Sequence, residues 1–111
     1  MIKYASKKEK VMIKKYGIFN AFKNTKGVVR DHKYSRWSGY NENVNPILLR
    51  HPVNCEWIKH SENVSKRGKN TISLENLIDR IIRFKSKWKE HEMCLEIIKQ
   101  GGLLKVRGTR L

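Results

Sequence analysis

The sequence predicts a small α+β domain: two short strands joined by a long loop, then a short helix, with further helices on either side. Three observations predict it. Amphipathic segments near both ends begin at helix-start residues, Ser6 and Ser73. Residues 28–30 and 53–58 have the apolar or alternating pattern of short strands. Residues 60–66 follow the second strand with no Gly or Pro to break a helix.

A chain of 111 residues suits one domain, 1–111. It divides into an N-terminal helix and connection (1–25), a strand–strand–helix core (26–68), a C-terminal helical segment (71–100) and a basic tail (101–111).

The elements follow in order. Ser6 and Glu9 have the spacing of a capping box, which starts a helix that runs to about Tyr16 and ends at Gly17. Residues 18–22 are apolar and aromatic, either a strand or a buried connection, and residues 23–27 form a turn. Val28, Val29 and Arg30 make a strand that runs into Asp31 and His32. Residues 33–52 are a long loop, broken by Ser38-Gly39, Asn41, Asn43 and Asn45-Pro46 and anchored by the apolar residues 47–49. Such loops are often functional. In the second strand, residues 53–58, Val53, Cys55 and Trp57 share a face. Residues 60–66 form a short helix and 67–70 a basic turn. Leu74, Leu77, Ile78, Ile81, Ile82 and Trp88 then fit one helical stripe, resumed by Leu95, Ile97 and Ile98 and stopped at Gly101-Gly102. This is one long helix, or two broken near residues 89–91.

Charge narrows the function. Lys and Arg total 25 against 10 Asp and Glu, a formal net charge of +15. Self-repulsion of that size points to a polyanionic partner. A nuclease and a structural RNA binder fit this composition equally. No apolar run approaches the ~18 residues of a membrane span. The first eight residues lack the apolar core of a signal peptide. A cytoplasmic protein with no membrane partner is expected. Cys55 and Cys94 form no C-x-x-C pair, so no structural zinc is expected and each reads as a buried apolar residue. His51 reads as a loop residue before Pro52, and His91 as an exposed helix residue. Trp37, Trp57 and Trp88 read as core anchors, with Trp37 and Tyr40 the candidates for base stacking.

Four residues stand out: Asp31, His32, Asn54 and Asn63. A strand, a long loop, a second strand and a short helix can bring all four to one cleft. The segments Asp31-His32-Lys33-Tyr34-Ser35, Gly39-Tyr40, His51-Pro52-Val53-Asn54, Glu62-Asn63-Val64-Ser65-Lys66 and Ser73-Leu74-Glu75 together resemble phage HNH homing endonucleases, in order and in spacing. The resemblance covers residues 28–82 and is nearest the variant whose last motif residue is Asn.

The resemblance implies a ββα-metal finger that hydrolyses phosphodiester bonds of double-stranded DNA with one divalent ion, Mg²⁺ or Mn²⁺. It makes His32 the general base. It assigns the positioning of that ring to Asn54, through its backbone or amide carbonyl. Asp31 and Asn63 become the metal ligands, with His60 as a possible third. Lys66 holds a phosphate near the scissile bond, and Arg67, Lys69 and Arg36 contact the DNA backbone. A neutral imidazole takes a proton from water at cellular pH, and hard oxygen ligands suit an octahedral ion. The alternative is a basic nucleic-acid-binding protein that keeps this fold without catalysis. A dimer has no sequence support of its own.

Overall fold

The computed structural model describes residues 2–66 and 69–102. Among them are two strands, β1 (Val28–His32) and β2 (Cys55–Lys59), and six α-helices: α1 (Lys7–Tyr16), α2 (Arg36–Asn41), α3 (Pro46–Leu49), α4 (His60–Lys66), α5 (Leu74–Arg83) and α6 (His91–Lys99).

The capping box at the start of α1 closes in both directions: Ser6 Oγ accepts from the Glu9 N–H, and the Glu9 carboxylate accepts from the Ser6 N–H. The other Glu9 carboxylate oxygen accepts from the Trp57 N–H at 3.1 Å, which pins α1 to β2. Gly17, at φ 76°, ends the helix in a conformation that favours glycine.

β1 and β2 pair antiparallel, with Val29 opposite Ile58, Asp31 opposite Glu56 and His32 opposite Cys55. The ladder extends at both ends, through His60 N–H to Gly27 O (3.0 Å) and Lys33 N–H to Asn54 O (2.7 Å). The outer edge of β1 meets residues 17–19: Val28 N–H bonds Gly17 O, and Phe19 N–H bonds Val28 O. That close approach explains Gly27, where a Cβ would lie 2.6 Å from Phe19 N and 2.7 Å from Gly17 O. The expectation of a strand or buried connection over residues 18–22 therefore holds only at its start. Ala21–Lys23 curls into a 3₁₀ turn that leaves Phe22 fully exposed.

The connection between the strands is more ordered than expected. Ser35 Oγ caps α2 by accepting from Ser38 N–H, and Asn45 Oδ1 caps α3 by accepting from Ile47 N–H, with Pro46 in its first turn. Of the residues read as breakers, Asn45 is a cap, and Ser38, Gly39 and Asn41 lie within α2. Gly39 belongs to α2 and lets it press on Leu49, whose Cδ1 would be 2.5 Å from a Cβ there.

The second strand begins later than expected, because His51 winds the chain before it. Its Nδ1 accepts from Val53 N–H and its carbonyl from Asn54 N–H. Pro52–Asn54 is thus a 3₁₀ turn, and Asn54 precedes the strand instead of lying on it.

The main core lies under the connection and not on the sheet. Tyr34, Val44, Leu48 and Leu49 pack there with Leu77 and Ile81 of α5 and Cys94 of α6. The Ser73 hydroxyl caps α5 by accepting from Asn76 N–H. Ile82, expected in the apolar stripe, faces solvent instead. The C-terminal segment is two helices separated by residues 84–90, a wider break than expected. Its cause is tertiary: Phe84 and Trp88 turn inwards onto His51, with ring centroids 4.6 and 4.9 Å away. Cys94 is buried and Cys55 half-buried, both free thiols. Trp57 and Trp88 are half-buried, whereas Trp37 is not a core anchor. Among the described residues, no helix is long and apolar enough to cross a membrane.

Candidate metal and phosphate site

Strand alternation puts Val29 and Asp31 on one face of β1, with Ile58 and Glu56 opposite them on β2. Two carboxylates held side by side repel each other and attract a cation. The cation in the structure is Lys66, from the last turn of α4. Its ammonium forms an ion pair with Asp31, donates to the His32 carbonyl and lies 3.9 Å from Glu56 Oε2. Lys66 lies in the cleft with Asp31, as its spacing from Asn63 predicts, with its side chain largely buried and turned towards that carboxylate.

On α4, His60, Asn63 and Lys66 are half-buried, whereas Ser61, Glu62, Val64 and Ser65 are exposed. The three-residue spacing sets the first group on the side towards the sheet. Asn63 lies one turn before Lys66, and its side chain makes no hydrogen bond among the described residues. His60 lies at the other end of the helix, about 9 Å from Lys66 along the axis. Its ring stacks on Phe19, with centroids 3.7 Å apart, and its buried Nδ1 has no partner among the described residues. His60 is therefore packed onto Phe19 and not grouped with Asp31.

His32 ends β1, half-buried. Burial pushes its pKa below the ordinary histidine value, and the charges of Arg30 and Arg36 push the same way. The ring is thus held neutral, the form that accepts a proton. It makes no hydrogen bond among the described residues, so the expected contact with Asn54 is corrected. Asn54 is fully buried and spends both its carbonyl oxygens on backbone N–H groups. Its Oδ1 accepts from Tyr34 N–H (2.8 Å), and its main-chain oxygen accepts from Lys33 N–H. Its Nδ2 donates to Tyr34 O (3.0 Å) and Leu49 O (3.1 Å). Asn54 clamps the two residues after His32, not the imidazole.

The segment after α4 returns to the same end of the sheet. Lys69 N–H bonds Lys66 O, Thr71 N–H bonds Lys33 O (2.7 Å), and Asn70 Oδ1 accepts from Ser35 N–H (2.7 Å). Lys69 and Arg36 are both exposed on segments tied there. Arg67 lies outside the described residues.

The structure thus brings together the Asp31 carboxylate, the Lys66 ammonium and the main-chain carbonyl of His32. It adds Glu56, which pattern reading misses because only the strand register reveals it. Asp31 carboxylate and Asn63 amide oxygens are hard donors, the type that suits a Mg²⁺-like ion, and a cation already occupies the carboxylate pair. Among the described residues, no group of three or more His, Cys, Asp or Glu is placed to hold a metal.

His51 is the loop residue before Pro52 that was expected, whereas His91, expected to be exposed, is corrected. His51 is fully buried, and His91 is half-buried against it. The spacing of Phe84, Trp88 and His91 was the available signal for this cluster.

No family model, curated protein or solved structure matches this chain.

Proposed function

We propose that this chain is a metal-dependent DNA endonuclease of the HNH, ββα-metal type. One observation carries the reading: a neutral, half-buried imidazole, His32, ends a strand next to a carboxylate, Asp31, that pairs with a cation from the helix following the second strand. The +15 charge supplies the attraction to DNA.

In this mechanism His32 accepts a proton from the water whose oxygen attacks phosphorus, as the bond from phosphorus to the leaving oxygen breaks. Asn54 acts as a positioning residue, because it fixes the backbone that follows His32. Asp31 and Asn63 are the residues that would hold a divalent ion. A bound Mg²⁺ or Mn²⁺ supplies Lewis-acid stabilisation of the leaving oxygen. Lys66 contributes positive charge beside Asp31, and Arg36, Lys69 and Arg67 contact the DNA backbone, which positions the duplex without reading its sequence.

One observation favours a second reading. The Lys66 ammonium already neutralises Asp31, as suits a basic nucleic-acid-binding protein in which this site is only structural. Nicking of supercoiled plasmid with Mg²⁺ or Mn²⁺ separates the two. The endonuclease cuts, stops on chelation, and loses about 10²- to 10⁴-fold in rate as His32→Ala while binding DNA as before. DNA binding without any metal-stimulated cutting establishes the second reading.

A further inference from the structure

The outer face of α2 carries two large rings in water. Trp37 is 71% exposed and Tyr40 86% exposed. Three residues apart on a helix, they share one side. Neither ring makes an aromatic contact among the described residues.

The helix cannot turn to bury them. Its inner side is committed, because Gly39 lies against Leu49 with no room for a Cβ. Its first turn is tied down by Ser35, whose N–H bonds Asn70 Oδ1 and whose hydroxyl caps Ser38. Asn70 also donates to Ser38 Oγ at 3.0 Å. The last turn is continued by Glu42 N–H to Ser38 O and Val44 N–H to Gly39 O, both 2.8 Å. The rings therefore stand on a braced platform that begins four residues after His32. Three cations, Lys33, Arg36 and Lys69, lie on segments tied together at this end of β1.

Rings flanked by cations match the two surfaces of a nucleic acid. Base faces stack on aromatic side chains whatever the sequence, and phosphates take the cations. Apolar side chains that enter a base step unstack and kink the duplex, at least cost where the step is flexible or unpaired.

We propose that Trp37 and Tyr40 form a base-stacking wedge, which opens a step of duplex DNA beside the phosphate next to Asp31 and His32. The wedge rests on the DNA-cutting reading for its place beside the scissile bond. It adds a way to choose sites by deformability.

The test measures binding of the full chain to two labelled duplexes in chelator, where cutting plays no part. One duplex is fully paired, and the other carries a single unpaired base. Wild type prefers the second. Trp37→Ala and Tyr40→Ala each weaken binding about tenfold and erase the preference. The slope of log K against log salt is unchanged, since no ion pair is lost. The double substitution Lys33→Gln/Arg36→Gln does the reverse, flattening the slope and keeping the preference. Both rings are exposed, so these variants keep the wild-type circular dichroism. Ring variants that bind both duplexes within twofold of wild type overturn the wedge and leave the nuclease reading standing. A wild type that binds no DNA overturns both. A wild type that binds and shows the ring-dependent preference, yet never cuts, keeps the wedge and overturns only the nuclease.

Discussion

The Nε2 atom of His51 lies 3.0 Å from Nδ1 of His91. The Nδ1 of His51 accepts from Val53 N–H, so its proton sits on Nε2 and is donated to His91. Phe84 and Trp88 close the surroundings. Burial, with a smaller contribution from His91, lowers the pKa of His51 to about 4.

The sign of the pH dependence follows. The folded protein keeps His51 neutral down to about pH 4, whereas the unfolded chain takes up a proton near ~6.5. The stabilisation is complete above the unfolded value and is lost as pH falls from there through the folded one, by up to about 3 kcal/mol. Urea unfolding at pH 7.5, 6 and 5 should show a falling midpoint. His51→Phe should flatten the part of the slope that His51 causes.

Asn54 makes three side-chain hydrogen bonds from a fully buried position. Replacing it by Ala strands one backbone N–H and two carbonyls and should destabilise the fold by about 3 to 4 kcal/mol. Asn54→Asp keeps the shape and the acceptor but not the two donated bonds, and should also destabilise it. Thermal unfolding of both variants checks this.

Gly27 leaves no room for a side chain, and every atom crowding a Cβ there is backbone. Gly27→Ala must push residues 17–19 off the edge of β1. A loss of about 2 kcal/mol is expected, within the range for overpacked sites. Faster hydrogen exchange at the Val28 and Phe19 amides should report where the edge opens.

Removing the Lys66 ammonium leaves the Asp31 and Glu56 carboxylates without their cation. Lys66→Met should bind Mn²⁺ about tenfold more tightly than wild type in the absence of DNA, because no tethered cation competes with the ion. Electron paramagnetic resonance of free Mn²⁺ reads that affinity directly. Plasmid nicking by the same variant should fall, since a positive charge at the phosphate is lost.

Signals confined to a few adjacent residues are legible in this sequence. The Ser6–Glu9 box, β1 and α4 follow from local spacing, and the structure keeps all three. The grouping of Asp31 with Lys66 follows too, from a strand end and helical periodicity. Signals that depend on distant partners are not legible. Ser38-Gly39 looks like a break until Leu49 is seen to need the space. Glu56 gains meaning only from the register that sets it opposite Asp31. Asn54 stands out by its place in the motif, yet the targets of its oxygens depend on how residues 33–34 return past it. His51 looks like an ordinary residue before proline until Phe84, Trp88 and His91 close around it.

The capping glutamate of α1 has an effect beyond its own helix. A ribbon of only two strands has two open borders, each a template on which another chain can add a strand. Residues 17–19 cover one border, and Glu9 takes up the outward Trp57 amide on the other. A strand added to either border must therefore displace a bond already made, at Val28 on one side or at the Trp57 amide on the other.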